Sequence, residues 1–190
     1  MSTVPVAEQM TAEEFLARPW EDGSRWESLV DGDVVVTDPN MLHNRVQVNL
    51  VYALESWVRA GSERGQVAMP LDVQLDEVNV FKPDVLWYAE AAAPDLRSER
   101  PYPIPSIAAE IRSPSTWRYD LGAKKASYER HGLAELWLLD TAADTVLVYR
   151  RSAHQEPAFD IALELDDTQQ LTSPLLPGFA LGVDELFPGH

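Results

Sequence analysis

The spacing of hydrophobic positions along the chain predicts a layered domain of helices and strands. In residues 44–60 apolar side chains recur every three or four positions, which is typical of a long amphipathic helix ended by Gly61. Alternation over residues 67–75 predicts one half-buried strand, with an edge or a bulge at Pro70. Shorter apolar runs predict further strands in residues 82–90, 106–113, 134–140, 144–151 and 158–166.

Turn and capping residues mark where other elements begin. Thr11 followed three positions later by Glu14 is a capping-box pattern and predicts a short N-terminal helix. The dipeptide Asp31-Gly32 lies between two apolar runs and predicts a β-hairpin. A helix is expected over residues 120–131. Because strands and helices interleave without a repeat or a linker, residues 1–190 are interpreted as one α/β domain.

Composition narrows the classes of protein that fit this pattern. Hydrophobic residues make up 45% of the 190 positions, enough for a core, and no apolar run is long enough to predict a membrane span. The N-terminal residues lack the pattern of a secretory signal, and cysteine is absent, so a reducing cytoplasm is expected. The net charge of −16 argues against nucleic-acid binding over the whole surface, although it leaves room for a local basic site.

Two carboxylates fall on predicted neighbouring strands. Glu110 and Arg112 share one face of their strand because side chains alternate, and Asp84 begins the strand before it. Two carboxylates on adjacent strands can hold Mg²⁺, which takes one or two carboxylates together with water and phosphate. The alternative is structural: Asp84 would cap a turn, and Glu110 would form an ordinary ion pair with Arg112.

A lysine on the next predicted helix adds a third charged group. Lys124 lies between Leu121 and Tyr128, whose spacing predicts an inward-facing stripe, so its ammonium is expected to point at Glu110. Lys125 is rotated by about 100° and is expected to be exposed. The alternative is that Lys124 buries only its methylene groups and keeps its ammonium in solvent.

These motifs, taken in order, resemble the PD-(D/E)XK nuclease superfamily and its bacterial restriction-endonuclease-like branch. "RWESLVDGDVV" is similar to the branch's Tyr-Glu-Leu-Ile-Asp-Gly-Glu opening, and "KPDVL" to its Arg-x-Pro-Asp-Val strand. "AAEIRSPST" resembles Glu-Val-x-Ser-Pro-Ser, and "DLGAKKASYERHGLAELWLLD" resembles the Asp-x-x-x-Lys helix with the strand that follows it. The resemblance extends to "MLHNRVQVNL" and to the ending "SPLLPGFALGVDELF".

The resemblance implies a restriction-endonuclease-like mixed β-sheet core flanked by helices, preceded by the N-terminal helix and the hairpin. It implies a DNA endonuclease that uses Mg²⁺ or Mn²⁺. Asp84 and Glu110 fall on the metal-binding carboxylates, and Lys124 on the helix-borne catalytic lysine. Glu27 falls on the opening acidic residue that completes many such sites. Arg112 stands where the superfamily's most familiar pattern has lysine, and a guanidinium cannot shuttle protons.

A basic segment around the predicted site offers contacts to DNA. Residues 112–130 hold five basic and two acidic side chains, and Arg112, Arg118 and Lys125 are the candidate phosphate contacts. Apolar surface on the long helix and the 67–75 strand predicts a homodimer. The acidic surface and the lack of a specificity domain leave an alternative, which is a nuclease-fold module with a binding or regulatory role and no cleavage activity.

Overall fold

The fold is a mixed six-stranded sheet with a smaller antiparallel sheet beside it, and the computed structural model describes residues 9–19, 27–114 and 116–187. The helices are α1 (Ala12–Ala17), α2 (Met41–Arg59), α3 (Trp117–Tyr119), α4 (Lys125–Arg130) and α5 (Val183–Leu186), with a 3₁₀ turn at Glu90–Ala92 and a π-helical turn at Asp120–Lys124. The strands are β1 (Glu27–Val30), β2 (Asp33–Val36), β3 (Gln66–Ala68), β4 (Val73–Gln74), β5 (Val80–Phe81), β6 (Val85–Tyr88), β7 (Ile107–Ile111), β8 (Glu135–Asp140), β9 (Thr145–Arg150), β10 (Ile161–Leu165), β11 (Gln170–Leu171) and β12 (Leu181–Gly182).

The six-stranded sheet has the order β10-β9-β8-β7-β6-β3. Its pairs are antiparallel except β7 with β8, which are parallel and are joined by the helical segment 117–130. The smaller sheet has the order β2-β1-β5-β4, and β11 pairs with β12. The predicted mixed α/β architecture is therefore confirmed, including the N-terminal helix and the hairpin.

Two apolar clusters pack on opposite faces of the large sheet. One face of β7, formed by Ile107, Ala109 and Ile111, packs with the buried side of α2 and with the C-terminal residues. The other face carries Ala108, which packs in a cluster with Tyr128 of α4. Alternation along β7 therefore directs Glu110 towards the helical segment 117–130 and away from α2.

Local sequence signals account for most element boundaries. Thr11 and Glu14 form the predicted capping box of α1. Asp31 and Gly32 both have positive φ, of 48° and 82°, as a two-residue hairpin of type I′ requires. The long helix begins at Met41, three residues earlier than predicted, because the Asn40 side chain accepts a hydrogen bond from the backbone of His43 and caps it.

Two expectations about local structure were wrong. The single strand predicted over residues 67–75 is divided: β3 lies at the edge of the large sheet and β4 in the small sheet, with Pro70 in the break. Leu121 was expected to face inward, but it is 41% exposed. The π-helical turn widens the helix at this point and changes the phase, so that Lys124 and Tyr128 face inward without Leu121.

No helix in the described ranges combines the length and apolar character that a membrane span needs.

Candidate active site

Asp84 and Glu110 are brought together by the register of β6 and β7. Val85 pairs with Ala109 in this antiparallel ladder, so Asp84, one residue before, and Glu110, one residue after, are opposite each other on the same face. The backbone N–H of Ile111 donates a 2.7 Å hydrogen bond to Asp84 Oδ2. Both carboxylates line one small polar cavity, whose walls are Ser28, Thr37, Lys82, Asp84, Glu110, Ile111, Thr116, Asp120 and Lys124.

The helical segment 117–130 places Lys124 beside Glu110. Lys124 is only 3% exposed, and its Nζ lies 3.1 Å from Glu110 Oε2 and 2.9 Å from Asp120 Oδ1. The Tyr128 hydroxyl donates to Glu110 Oε1 at 2.9 Å. The ammonium therefore does not reach out to solvent. It is buried between two carboxylates.

Burial and the neighbouring charges together shift two pKa values in the site. Burial raises the pKa of Glu110 to about 8, with Asp120 and Asp84 adding to the rise and the Lys124 ammonium opposing it. Burial alone would lower the pKa of Lys124, but the carboxylates of Asp120 and Glu110 outweigh it and raise that pKa well above its usual value. The protonated form of Lys124 is therefore favoured, and so is the protonated form of Glu110.

Helix α2 supports Asp84 from the other side of the sheet. Gln47 Nε2 donates a 2.8 Å hydrogen bond to the Asp84 carbonyl. His43, one turn earlier, is 1% exposed and places Nε2 3.2 Å from Asp84 Oδ2. Within the described residues neither ring nitrogen of His43 has a well-formed hydrogen bond.

His43 and Asp120 were not among the residues predicted for the site. The spacing of His43, four positions from Gln47 and seven from Leu50, places it on the buried face of α2. Asp120 lies four residues before Lys124, the spacing at which opposite charges meet on one helix. Both spacings are visible in the sequence, but they predict neighbouring side chains only once the bounds of the helices are known.

The three predicted DNA contacts are engaged in local interactions. Arg112 does not pair with Glu110. Its Nη1 binds both carboxylate oxygens of Asp140, at 2.8 and 3.0 Å. Arg118 donates to the hydroxyl of Tyr119 and lies over its ring. Lys125 was expected to be exposed, but it is half-buried over the rings of Tyr149 and Phe159. Their predicted role in binding nucleic acid stays a prediction.

Glu27 lines a different cavity from the other three predicted catalytic residues. Its Oε2 is 3.0 Å from Nη1 of Arg18, and its neighbours in that cavity include Asp72, Lys82 and Arg100. Lys82 lines both cavities, so the two are adjacent. The structure thus brings Asp84, Glu110 and Lys124 together in one cavity, whereas Glu27 lines the adjacent cavity.

The donor groups of the site suit a hard divalent cation. Its carboxylate and hydroxyl oxygens are the ligands that Mg²⁺ and Mn²⁺ prefer. Asp120 Oδ1 is buried and, among the described residues, has no hydrogen bond of good geometry despite its contact with Lys124. Three carboxyl groups and the ammonium groups of Lys82 and Lys124 line the cavity, so the carboxylates outnumber the cations by one when all are ionised. No three His, Cys, Asp or Glu side chains in the described ranges are already arranged as metal ligands, and Mg²⁺ sites commonly use only one or two carboxylates.

Comparison with known proteins agrees with this architecture. A crystal structure from Anabaena variabilis ATCC 29413, described as a putative nuclease belonging to DUF820, superimposes with a TM-score of 0.77. It is 20% identical, and the match covers 94% of this chain and 97% of that one, so the likeness shows a shared fold. None of the curated proteins matches significantly. The profile of the Uma2 family, described as putative restriction endonucleases, matches residues 12–184. The chain therefore belongs to the Uma2 family, within the restriction-endonuclease-like nucleases.

Proposed function

We propose that the protein is a metal-dependent endonuclease that hydrolyses phosphodiester bonds in DNA. The observation that carries this proposal is the buried contact of 3.1 Å between Lys124 and Glu110, in a cavity that Asp84 also lines. Family membership supports nuclease chemistry in general, while the metal dependence and the choice of DNA are part of the proposal.

The carboxylates of Asp84 and Glu110 would hold Mg²⁺ or Mn²⁺. When bound, the cation supplies polarisation of a phosphate and a lowered pKa for water. The hydrogen bond from the Ile111 N–H to Asp84 Oδ2 fixes the orientation of this carboxylate. In this role Glu110 must release its proton, because only the carboxylate is a good ligand.

Lys124 would stabilise the negative charge that develops on the phosphate oxygens. Its raised pKa keeps it protonated, so it cannot serve as the general base. Asp120 would act as a positioning residue that holds the ammonium beside Glu110. Glu27, which the resemblance places among the residues that complete such sites, lines the neighbouring cavity, so we assign it no step.

Cleavage of supercoiled and single-stranded DNA in Mn²⁺ or Mg²⁺ tests the proposal. Glu110→Gln should abolish cleavage and weaken the binding of Mn²⁺ measured by calorimetry. The matched control is Glu164→Gln, which removes the same charge from an exposed position on β10 and should change neither. Cleavage that persists in Glu110→Gln would refute the assigned site. Metal and DNA binding by a wild type that cuts nothing would favour the non-cleaving module.

A homodimer belongs to the same proposal, through the outer side of the long helix and the 67–75 segment. Leu50 and Leu54 of α2 are buried inside the protomer, so they are not available to a partner. The outer side of α2 exposes Val48 and Tyr52, and Met69 lies beside them; these three side chains are 51–75% exposed. Exposed apolar patches of this kind are typical of interaction sites. Sedimentation at micromolar concentration tests the proposal, with Tyr52→Ser expected to shift the protein towards monomer.

A further inference from the structure

A larger cavity lies at the other end of the six-stranded sheet, where β8 and β10 begin and β9 ends. Its volume is about 350 Å³, which is in the range of small-molecule sites. Glu135 and Arg150, which pair across β8 and β9, are part of its lining. Glu135 also pairs with Ile107, whose side chain is on the α2 face of the sheet, whereas Glu110 projects from the opposite face. This cavity is therefore separate from the candidate active site.

The guanidinium of Arg150 has few partners in this cavity. Its Nη1 lies 3.8 Å from Glu135 Oε1, which is too far for a hydrogen bond. Its Nε is buried without a hydrogen bond among the residues that the structure describes, while Nη1 and Nη2 are not buried in this way. A guanidinium has five N–H donors, and a donor that stays unpaired in a folded protein costs free energy. Arg150 is therefore suited to a ligand that brings an acceptor.

Glu135 is held by other donors than Arg150. Its Oε1 accepts a 2.8 Å hydrogen bond from Trp137 Nε1, and its Oε2 accepts one from the Ser173 hydroxyl. Burial also raises the pKa of Glu135, which favours the neutral carboxyl group and so reduces the charge that would oppose an anion in the cavity. The contact with Glu135 thus leaves the positive charge of Arg150 available to a ligand.

Arg151 adds a second positive charge to the lining. Its Nε, Nη1 and Nη2 donate to three backbone carbonyls, those of Leu133, Glu156 and Glu129. Carbonyls carry no net charge, so these bonds fix the guanidinium without neutralising it. The exposed carboxylate of Asp160 interacts with this charge, but its oxygens are bound by Ser152. Arg151 therefore supports an anion through its field, and Arg150 supplies the free donors.

Much of the remaining lining is apolar. It includes the side chains of Ala134, Ala153, Ile161, Pro174 and Leu175. Leu175 is 38% exposed, so the cavity presents aliphatic surface to water. An apolar wall with a few well-placed polar groups is the usual composition of a small-molecule site. The guanidinium fork matches the plane and the two oxygens of a carboxylate.

We propose that this cavity binds a small organic carboxylate with an apolar body. The carboxylate accepts hydrogen bonds from Arg150, and the body packs against Ile161 and Leu175. A monoanion fits better than inorganic phosphate, because the donors of Arg151 are already used and phosphate has no apolar part to cover the aliphatic wall. The site does not depend on the nuclease chemistry proposed for Asp84 and Glu110, and it would give the protein a second ligand.

Titration of the full-length protein with hexanoate tests the proposal, followed by NMR through the methyl resonances of Ile161 and Leu175. Hexanoate should shift both resonances saturably, with a Kd in the millimolar range or tighter. Hexanamide, its uncharged analogue, should bind about 10-fold more weakly, since it lacks the charge-assisted hydrogen bonds. Arg150→Gln should reduce the affinity for hexanoate to that for hexanamide. The matched control is Arg97→Gln, which removes the same charge from an exposed position and should change neither affinity.

A second variant keeps the test decisive if Arg150→Gln does not fold. Leu175→Asp places a negative charge at the edge of the cavity and should weaken the binding of hexanoate, monitored at Ile161. Its control is Leu163→Asp, at a position on β10 that is 39% exposed and outside the cavity lining. Equal affinities for hexanoate and hexanamide, tighter binding of inorganic phosphate, or no shift at these methyl groups would each overturn the proposal. Neither metal binding nor cleavage enters the test, so its failure is distinguishable from failure of the proposed function.

Discussion

Lys124 and Glu110 lie fourteen positions apart in the chain and meet as a buried ion pair, with Nζ and Oε2 separated by 3.1 Å. Both side chains are at most 5% exposed, and Asp120 approaches the same ammonium. Removing a cation that is buried among carboxylates destabilises the fold. A substitution of Lys124 should therefore affect stability as well as catalysis.

Lys124→Ala should destabilise the protein as well as abolish cleavage. Removing one partner of a buried ion pair leaves uncompensated charge and typically costs about 3–5 kcal/mol. Urea denaturation without metal should show this loss, and Mn²⁺ should recover part of it by taking over the balancing charge. Lys125→Ala is the control, because its ammonium lies over the ring of Tyr149 and it forms no salt bridge among the residues that the structure describes. An equal effect of both substitutions on cleavage would contradict the assignment of the lysine.

Asp120→Asn should reduce cleavage while retaining Lys124. The amide keeps the size of the side chain but removes the charge that holds the ammonium, so Lys124 should be less well placed and its pKa should fall. We expect a partial loss of rate, smaller than that of Lys124→Ala, and stronger dependence of the rate on pH at the alkaline end. Rates from pH 7 to 10 in the wild type and the variant provide the measurement. An unchanged pH profile would argue that Asp120 has no positioning role.

His43→Ala should weaken metal binding without removing a ligand. The imidazole is buried 3.2 Å from Asp84 Oδ2, and residues that orient a ligand typically contribute about 10–100-fold to metal affinity or activity. Calorimetry with Mn²⁺ tests this directly and does not depend on cleavage. Asn44→Ala, at an exposed position in the same turn of α2, is the control. Unaltered affinity in His43→Ala would assign this histidine to packing alone.

Glu135 should make stability depend on pH at a point outside the active site. Its pKa is raised by burial, against the hydrogen bonds from Ser173 and Trp137 and the charge of Arg150. A raised carboxyl pKa means that the folded protein favours the protonated form, so this contribution is present below the ordinary pKa near 4.5 and is lost as pH rises through the folded value.

Glu135→Gln should therefore gain stability relative to the wild type as pH rises from 4 to 8. The gain is about 1.4 kcal/mol for each unit by which the pKa is raised. An amide can still accept from Trp137 and donate to the Ser173 hydroxyl. Urea denaturation of both proteins at the two pH values measures the difference, and Glu164→Gln on the exposed face of β10 corrects for the loss of one negative charge. A difference that does not change with pH would refute the prediction.

The parts of this fold that sequence reasoning predicted are those fixed by local chemistry. The Asp31-Gly32 turn needs two residues with positive φ, and that dipeptide is among the few that adopt them readily. Asp84 and Glu110 lie opposite each other because β6 and β7 pair as neighbours, in the order of the two motifs. The hydrophobic pattern predicts both strands.

The parts that were missed depend on contacts between distant segments. Pro70 indicated a break, but nothing local showed that the residues after it join another sheet. A 3.6-residue period cannot foresee a π-helical turn, so Leu121 was assigned to the wrong face. Arg112 was placed beside Glu110 by strand alternation, whereas its partner, Asp140, lies at the end of the neighbouring strand. Such pairings are settled by the tertiary structure.

The parallel pairing of β7 with β8 has a topological consequence for the site. A chain that leaves one strand and enters its parallel neighbour must travel back along the sheet, and a helix is the usual way to do so. This return path passes over the cavity that β7 helps to form. A positive charge therefore reaches that cavity without any added segment, because Lys124 lies on the return path and contacts Glu110.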